Sequence, residues 1–456
     1  MERRYRDPEW ETLDREQLRK GQFELLQTQL TRLAATNPFF ADRWREAGVD
    51  VAKVTDQDEF ARMVPMISKQ DLIADQEAAP PFGTRLGVDR SELNGLMMTS
   101  GTTGIGQEMY GLTAQDQIVA GEGFAHAWTI AGVQPGDVII VTPPVNFLSA
   151  GLACVQSAHR MQVTPIYGFG VDKTRLVELI GKLGVSMVYA PPNLFLQLQE
   201  AAKEMGFDPR TDAPALRGLT TSLIMPPFSL VYDIQDFWGV PLYDIYGSTQ
   251  ASSGAAVSCE HGVWDGERRY PTHFLEQHWL FEVVDPETGI PVSPGEEGEL
   301  VVTSLRRQAS PVVRFRMRDR VVHAPWDSCP CGRPFDGMVP GETSRYDDML
   351  KIKGMNVWPA AVDTAVFEHR EVEEYRGRVV LHENGREDML ITVSFKDDAG
   401  LSADERANLV GVLVKDVKQA TNVTPKVVEV DHLDAFDFKP QRWTDERKQG
   451  LQKITW

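Results

Sequence analysis

Three sets of residues in this chain have types and spacings that can do chemistry. The first is the segment Met98-Thr-Ser-Gly-Thr-Thr-Gly104, which consists almost entirely of small and hydroxyl-bearing residues. Glycines let backbone N–H groups approach phosphate oxygens closely, and hydroxyl groups add donors. The segment therefore predicts a loop that wraps a polyphosphate, although a solvated turn has the same composition.

The second set is Arg314-Phe-Arg-Met-Arg-Asp-Arg320, which alternates with a period of two. In a strand, this pattern places the arginines on one face and Asp319 on the other, together with Phe315 and Met317. A carboxylate on an apolar face is costly unless a donor satisfies it. Asp319 is therefore predicted to accept hydrogen bonds from a sugar diol or, alternatively, to cap a turn at the end of the strand.

The third set comprises Cys259-Glu-His261 and Cys329-Pro-Cys331. Three cysteines and one histidine in two short pairs fit a tetrahedral Zn²⁺ site, and four protein ligands leave no open position for chemistry. We predict a structural zinc bound by Cys259, His261, Cys329 and Cys331. Reduced surface cysteines without a metal are the alternative. Cys154 lies in an apolar helical segment and is expected in the core.

The elements that must position these residues follow from the pattern of the middle of the chain, where strand-like and helix-like segments alternate as in parallel βαβ units. The predicted strands are 137–142, 162–167, 185–189, 218–224 and 241–246; the predicted helices are 17–36, 147–161, one around 176–183, one from an Asn193 cap to residue 205, and one ending at Trp238. Ligands of parallel sheets bind beyond the carboxyl ends of the strands. Segments 99–104 and 246–250 are expected there.

The flanking regions complete the predicted architecture. Residues 1–95 have helix and loop patterns, and 279–322 have the short alternating strands of an antiparallel sheet or small barrel. We predict an α/β protein with a large N-terminal domain, residues 1–346, made of α/β subdomains plus a small antiparallel barrel. A small α+β domain, residues 347–456, follows it.

Composition narrows the function. The chain has 456 residues, of which 42% are hydrophobic and 25% charged, as in a globular protein with more than one core. A net charge of −19 argues against a general nucleic-acid or anionic-membrane binder. No apolar run is long enough to span a bilayer, and the polar first ten residues are unlike a signal peptide, so a cytoplasmic protein is expected. A polyanionic ligand would need a locally basic site, which the arginines of 314–320, Lys351, Lys353, Lys439 and Arg442 offer.

Four motifs occur in one order: 99–104, Tyr243-Asp-Ile-Tyr-Gly-Ser-Thr249, 314–319, and Arg345-Tyr-Asp-Asp-Met-Leu-Lys-Ile-Lys-Gly-Met-Asn-Val-Trp-Pro359. Their order and spacing resemble the acyl-adenylate-forming superfamily, and specifically its phenylacetate–CoA ligase branch, over most of the chain. The resemblance implies ATP, Mg²⁺ and CoA as ligands and a mobile C-terminal domain. It implies that an aromatic carboxylate attacks ATP to give an acyl-adenylate, from which CoA displaces AMP. Members of this branch often carry a similar Cys/His pattern.

The resemblance also implies a role for each matching residue. The loop on the β- and γ-phosphates is matched by Thr99, Ser100, Gly101, Thr102, Thr103 and Gly104. The aromatic residue beside adenine is matched by Tyr246, which Gly247 and Ser248 follow; Thr249 matches a hydroxyl near the α-phosphate, Asp319 the carboxylate on the ribose, and Arg345 a cation near the nucleotide. Asp347 matches the hinge, and Lys439 matches the lysine that bridges the substrate carboxylate and the α-phosphate.

The chain departs from the family pattern at three places. The loop continues as Ile105-Gly106-Gln107 instead of Lys-Pro, and Ser222-Leu-Ile-Met-Pro226 replaces Gly-Ala-Glu-Pro. Gln250 stands where an acidic residue is expected to hold Mg²⁺, and an amide is a weaker ligand for this ion. An alternative function is therefore open, in which adenylation is lost and an aryl group moves between CoA and a carrier-protein thiol. A third interpretation is a protein that binds an acyl-nucleotide or CoA but has no catalytic activity.

The acyl pocket is predicted at Asn146, Phe147, Ala150, Ser222 and Ile224, whose small and aromatic side chains would suit a flat aryl acid. The same residues are also compatible with an ordinary core. The identity of the acid, the thiol acceptor and the oligomeric state, a homodimer included, are left open by the sequence.

Overall fold

A computed structural model of the chain describes residues 3–99, 107–146, 148–222, 228–382, 386–434, 436 and 442–447. The chain divides into two compact units. The larger consists of Met1–Leu223 and Ile234–Thr343, and the smaller of Ile224–Asp233 and Ser344–Trp456. The sequence placed the boundary between residues 346 and 347, whereas the smaller unit begins at Ser344 and also includes Ile224–Asp233.

The α-helices of the described residues begin and end as follows, in chain order: α1 (Pro8–Glu11), α2 (Arg15–Thr36), α3 (Pro38–Glu46), α4 (Gln57–Met63), α5 (Lys69–Ala78), α6 (Ala114–Ile130), α7 (Ser149–Met161), α8 (Lys173–Lys182), α9 (Pro192–Met205), α10 (Pro209–Asp212), α11 (Ser229–Trp238), α12 (Pro359–Phe367) and α13 (Ala403–Thr421). The Asp14 carboxylate caps α2 and the Gln17 side chain completes a capping box. The prediction that Asn193 caps α9 is wrong, because the helix begins at Pro192 and Asn193 already lies inside it. Pro192 opens it after Pro191, without a side-chain cap, and proline suits the first helical position.

The strands are β1 (Gly95–Met98), β2 (Met109–Leu112), β3 (Val138–Val141), β4 (Thr164–Tyr167), β5 (Val185–Tyr189), β6 (Gly218–Thr221), β7 (Leu242–Tyr246), β8 (Ala256–Ser258), β9 (Thr272–Phe274), β10 (Trp279–Val284), β11 (Glu297–Ser304), β12 (Phe315–Ala324), β13 (Gly337–Met338), β14 (Ser344–Arg345), β15 (Leu350–Ile352), β16 (Met355–Val357), β17 (Val372–Leu381), β18 (Glu387–Phe395), β19 (Lys426–Glu429) and β20 (Trp443–Asp445). The strands predicted between residues 137 and 246 all form, most of them shorter by one to three residues.

One mixed sheet organises the larger unit. Its parallel part runs in the order β4-β3-β5-β6-β7, and an antiparallel part continues from β7 through β8, β9, β13, β12 and β11 to β10. The antiparallel strands expected between residues 279 and 322 are therefore present, and they extend the path of the parallel strands. The predicted α/β fold is confirmed.

The core of the larger unit lies between the parallel strands and the helices α6 and α7. Phe124 and Trp128 of α6 pack with Ile139 of β3 and Met187 of β5, and all four are at most 1% exposed. Cys154 of α7 belongs to the same cluster, as expected, and burial raises the pKa of its thiol. This packing fixes the strand ends from which the candidate site is built.

The smaller unit has its own sheet, in the order β19-β18-β17-β20. β17 and β18 pair in antiparallel fashion, and β20 joins β17 in parallel. Leu413 of α13, Tyr375 of β17 and Ile391 of β18 are buried in one cluster between the helices and this sheet. In neither unit does any described helix combine the length and the apolar character needed to cross a lipid bilayer.

Candidate functional site

Two motifs that lie far apart in sequence meet at the end of β7. Tyr246 is the last residue of this strand, and its hydroxyl donates a hydrogen bond of 2.7 Å to Oδ2 of Asp319 in β12. Tyr246 is 1% exposed and Asp319 6% exposed. The alternation of β12 turns Asp319 inward with Phe315 and Met317, as predicted from the sequence. The aromatic ring and the carboxylate therefore belong to one site.

A tight turn follows Tyr246 and leaves residues 247–250 half-buried. The N–H of Ser253 donates to the carbonyl of Ser248, and the N–H of Ala255 donates to that of Tyr246. A Cβ on Gly247 would come within 2.1 Å of the Ser253 carbonyl carbon, so only glycine fits here. Ser253 itself has a positive φ of 58°. The geometry holds the motif in one conformation.

Arg307, which sequence reasoning missed, holds this turn in place. Its guanidinium donates to the carbonyl oxygens of Gln250 at 2.9 Å and Thr249 at 3.2 Å, and to the Ser252 hydroxyl at 2.7 Å. Arg307 is 2% exposed, and burial lowers the pKa of its guanidinium. The residue lies in Ser304-Leu-Arg-Arg307, and no spacing in the sequence marks it as different from a surface arginine.

The base of the predicted phosphate loop is ordered around Thr99. Its N–H donates to the carbonyl of Glu108 at 3.1 Å, and its hydroxyl accepts from the N–H of Glu108 at 3.0 Å. The loop residues themselves, Ser100, Gly101, Thr102, Thr103 and Gly104, lie outside the described residues. Glu108 is fully buried, and both of its carboxylate oxygens accept from Nε2 of Gln250, at 3.0 and 2.9 Å. The sequence did not single out Glu108.

The arginines of 314–320 do not form the open basic site that their sequence suggested. Arg314 has a positive φ of 45°, precedes the strand, and points inward to the buried carboxylate of Glu282. Arg316 binds both oxygens of Glu299, each 3.1 Å from its Nε. In the smaller unit, Arg442 pairs with Glu374 at 2.7 Å. Neighbouring carboxylates therefore balance much of this positive charge.

The remaining predicted residues are placed as follows. Asn146 is exposed and its side chain accepts from the N–H of Leu148 just before α7, Ala150 lies half-buried in that helix, and Ser222 is half-buried after β6. In the smaller unit Arg345 is half-buried and Asp347 is exposed, with 3.9 Å between Nη2 of Arg345 and Oδ2 of Asp347. Phe147, Ile224 and Lys439 lie outside the described residues.

A second site is built from Cys259, His273, Cys329 and Cys331, all of which are buried. Their ligand atoms all lie within 4.8 Å of one another. Two sulfur ligands of a tetrahedral Zn²⁺ are about 3.8 Å apart, and a sulfur and a nitrogen ligand are about 3.5 Å apart. The Sγ atoms of Cys259 and Cys329 are 3.6 Å apart, and Sγ of Cys331 is 3.5 Å from Nε2 of His273. These two separations are close to those of a tetrahedral zinc site.

The histidine of this cluster differs from the predicted one. His261 stacks on the ring of Tyr270, with 4.5 Å between centroids and 13° between planes, and is not among the clustered groups. His273 takes its place because β9 pairs with β8, which puts His273 opposite Val257, close to Cys259. Nδ1 of His273 lies 3.1 Å from the Phe335 carbonyl, which orients Nε2 toward the cysteines. Short spacing in the sequence favoured His261, whereas strand pairing selects His273.

The titratable groups of the cluster shift one another's pKa values. Burial alone lowers the pKa of His273, but hydrogen bonds with Cys329 and Cys331 outweigh it and raise the pKa to about 10. Hydrogen bonds from Cys259 and Cys329 lower the pKa of the Cys331 thiol. Cys331 therefore favours the thiolate form, which binds a metal, whereas hydrogen bonds with Cys329 and Cys331 raise the pKa of the Cys259 thiol.

A buried network of ion pairs lies beside this cluster and includes residues near the N-terminus. Arg333 donates to Glu260 at 2.6 and 2.7 Å and to Glu11 of α1 at 2.7 Å. Burial raises the pKa of Glu11, but a hydrogen bond and the charge of His126, together with the charge of Arg333, hold it at about 2. The network ties the chain's first helix to the residues beside Cys259 and Cys331.

Comparisons with known proteins agree with this geometry. Residues 37–305 match the family described as AMP-binding enzyme, and residues 354–447 match the AMP-binding enzyme C-terminal domain. Since the first match covers more than half of the chain, the protein belongs to the AMP-binding enzyme family.

Individual relatives are similar to this chain over most of their length. The phenylacetate–coenzyme A ligases of Thermus thermophilus and Pseudomonas putida are 28% and 29% identical to this chain over 434 and 430 residues. The alignments cover 92% and 93% of this chain and 94% and 92% of those proteins. A crystal structure of 2-hydroxyisobutyryl-CoA ligase in complex with 2-HIB-AMP superimposes with a TM-score of 0.86 at 24% identity, covering 98% of this chain and 94% of that one, and this likeness concerns the fold. The predicted resemblance to the acyl-adenylate-forming superfamily and its phenylacetate–CoA ligase branch is confirmed.

Proposed function

We propose that this protein is an AMP-forming aryl–CoA ligase. The observation that carries the proposal is the hydrogen bond between Tyr246 and Asp319, because it joins an aromatic ring and a buried carboxylate from two separate motifs beside the half-buried segment 247–250. An aromatic face suits a purine ring, and a carboxylate suits the two hydroxyls of a ribose. Family membership and relatives that align over more than nine-tenths of the chain support the same function.

The reaction has two steps. A carboxylate is a poor electrophile, so its oxygen first attacks the α-phosphorus of ATP and pyrophosphate leaves. The CoA thiol then loses its proton and attacks the acyl carbon, and AMP leaves with the electron pair of the broken C–O bond. Little covalent chemistry falls to the protein, whose contribution is positioning and charge stabilisation.

Each motif has a part in this scheme. Tyr246 and Asp319 bind the adenosine, Thr249 contacts the α-phosphate, and residues 99–104 bind the β- and γ-phosphates. Arg307 acts on the nucleotide indirectly, because its hydrogen bonds fix the backbone of Thr249 and Gln250. Lys439 binds the substrate carboxylate and the α-phosphate, with Arg345 as a further cation and Asp347 as the hinge. Mg²⁺ bound with ATP would neutralise phosphate charge.

The acid is proposed to be a small aromatic one, held near Asn146, Phe147, Ala150, Ser222 and Ile224. Support comes from the phenylacetate–coenzyme A ligases among the relatives and from the small side chains at Ala150 and Ser222. CoA is proposed as the acceptor thiol.

A structural Zn²⁺ is proposed at the buried cluster, bound by Cys259, His273, Cys329 and Cys331. The donor set and the distances between its atoms fit the ion. All four protein ligands are supplied by the chain, so the metal would join the residues after β8, β9 and residues 329–331 without taking part in catalysis.

One observation favours a second candidate function. Gln250 is neutral where the family pattern has an acidic residue, which weakens the expected Mg²⁺ site. A protein without adenylation would still be able to transfer an aryl group between CoA and the thiol of a carrier protein.

The two functions are separated by pyrophosphate release. The protein is incubated with ATP, Mg²⁺ and each of a panel of aromatic and aliphatic acids, with and without CoA. A ligase releases pyrophosphate with at least one aromatic acid and forms its CoA thioester. If no acid gives pyrophosphate and calorimetry detects no binding of ATP or AMP, the ligase proposal is wrong. Acyl exchange from an aryl-CoA to a phosphopantetheine thiol would then support the second candidate.

A further inference from the structure

The charge missing at Gln250 is present one hydrogen bond away. Its Nε2 lies 3.0 Å from Oε1 and 2.9 Å from Oε2 of Glu108, a carboxylate with no exposed surface. A buried carboxylate is retained only where surrounding groups stabilise it. An amide and a carboxylate therefore occupy together the place where the family pattern has a single acidic side chain.

Glu108 also has a defined position relative to the nucleotide motifs. Its backbone forms two hydrogen bonds with Thr99, so it stands at the foot of segment 100–106. Gln250, on the other side, ends the motif that begins at Tyr246. The Glu108–Gln250 pair thus connects the phosphate-loop motif with the adenine motif inside the larger unit.

The surroundings of Glu108 hold its carboxylate in one orientation. The Tyr110 hydroxyl donates to Oε1 at 2.8 Å, and Nζ of Lys69 lies 4.0 Å from Oε2. The guanidinium groups of Arg85 and Arg307 lie 4.8 and 5.5 Å from the centre of the Tyr110 ring. The Gln250 amide and the Tyr110 hydroxyl fix the carboxylate plane, and the Lys69 ammonium is a cation close to its oxygens. A carboxylate oxygen held in this way is the kind of ligand that Mg²⁺ prefers.

We infer that Glu108 supplies the carboxylate for the Mg²⁺ that accompanies ATP, and that Gln250 is the positioning residue that orients it. The inference rests on the proposed ligase function. It explains the amide at position 250, a departure from the family pattern, by a carboxylate that has moved to Glu108.

The test is a charge swap read out by metal binding. Mn²⁺ replaces Mg²⁺ as a paramagnetic probe, and its affinity for the enzyme with a non-hydrolysable ATP analogue is measured by electron paramagnetic resonance. Glu108→Gln keeps the size of the side chain and is expected to weaken Mn²⁺ binding at least tenfold. The double variant Glu108→Gln with Gln250→Glu restores one carboxylate to the pair and is expected to recover binding to within threefold of the parent.

Glu122→Gln is the matched control, because it makes the same change at a carboxylate that pairs with Arg6 and Arg160 outside both nucleotide motifs. It is expected to change Mn²⁺ affinity less than threefold, and thermal unfolding of every variant checks the fold. Unchanged affinity in a folded Glu108→Gln protein overturns the inference while the ligase proposal stands. Failure of the folded double variant to recover also overturns it. A parent protein that binds neither the analogue nor Mn²⁺ refutes both proposals together.

Discussion

The histidine of the Cys/His cluster offers a sharp test of the proposed zinc site, because His273 and His261 are alternative ligands. His273 and His261 are each changed to alanine in separate proteins. His273 lies 3.5 Å from Sγ of Cys331, whereas His261 stacks on Tyr270 outside the cluster. Only the first change should remove a metal ligand, and both remove the same imidazole ring.

The expected size of the effect follows from the ligand count. Structural Zn²⁺ sites of this type contribute about 10–16 kcal/mol at neutral pH. One of four ligands accounts for roughly a quarter, so losing His273 should weaken zinc binding by about 3 kcal/mol, which is roughly 100-fold in affinity. His261→Ala should leave affinity unchanged within about threefold, since the ring makes a partly exposed stacking contact only.

The assay has two parts. Protein purified without added metal is analysed for zinc by mass spectrometry, and the parent and His261→Ala should each carry about one equivalent. Competition with a chromophoric chelator then gives the affinity of all three proteins. Thermal unfolding with and without chelator should show a large difference for the parent and a small one for His273→Ala.

Two results would refute this reasoning. Zinc bound as tightly by His273→Ala as by the parent would remove His273 from the ligand set, and loss of zinc in His261→Ala alone would restore the sequence-based assignment. A parent protein that is folded and stable with no zinc at all would remove the metal.

Three further outcomes are expected. Tyr246→Phe removes a hydrogen-bond donor to the buried Asp319 carboxylate. Hydrogen bonds to charged groups contribute about 1.5–3 kcal/mol, so the affinity for AMP measured by calorimetry should fall about 10- to 100-fold. Unchanged affinity would show that Tyr246 and Asp319 are not part of the nucleotide site. The pKa of Glu11 is depressed from 4.5 to about 2, so the ionised carboxylate contributes about 3 kcal/mol to the free energy of unfolding above pH 4.5, and this contribution is lost as the pH falls toward 2. In urea unfolding, Glu11→Gln should therefore be less stable than the parent at pH 7 but nearly as stable at pH 2.5. A difference in stability that does not change with pH would contradict this. Lys439→Ala should abolish pyrophosphate release while transfer from a supplied acyl-adenylate to CoA persists, and equal release by mutant and parent would end the role assigned to this lysine.

Local sequence patterns were sufficient to predict much of the secondary structure of this protein. Strand and helix periodicity predicted the βαβ series from residue 137 to 246, because burial on a sheet imposes short apolar runs that are visible in the sequence. The alternation in 314–320 correctly turned Asp319 inward. It failed only at Arg314, whose backbone has a positive φ and precedes the regular strand. The four ordered motifs were enough to identify the family, since each is a short segment whose backbone conformation depends on its own residues.

The sequence by itself determined the α/β architecture and the family, and it brought together the three cysteines of the Cys/His cluster as one group. Only the tertiary structure decided which partners these residues have. Pairing of β8 with β9 chose His273 over His261, and the base of the loop at Thr99 brought Glu108 to Gln250 across 142 positions of sequence. The physical reason is that a pattern along the chain encodes which face of an element is buried, whereas contacts across elements depend on strand register and packing, which no local spacing records.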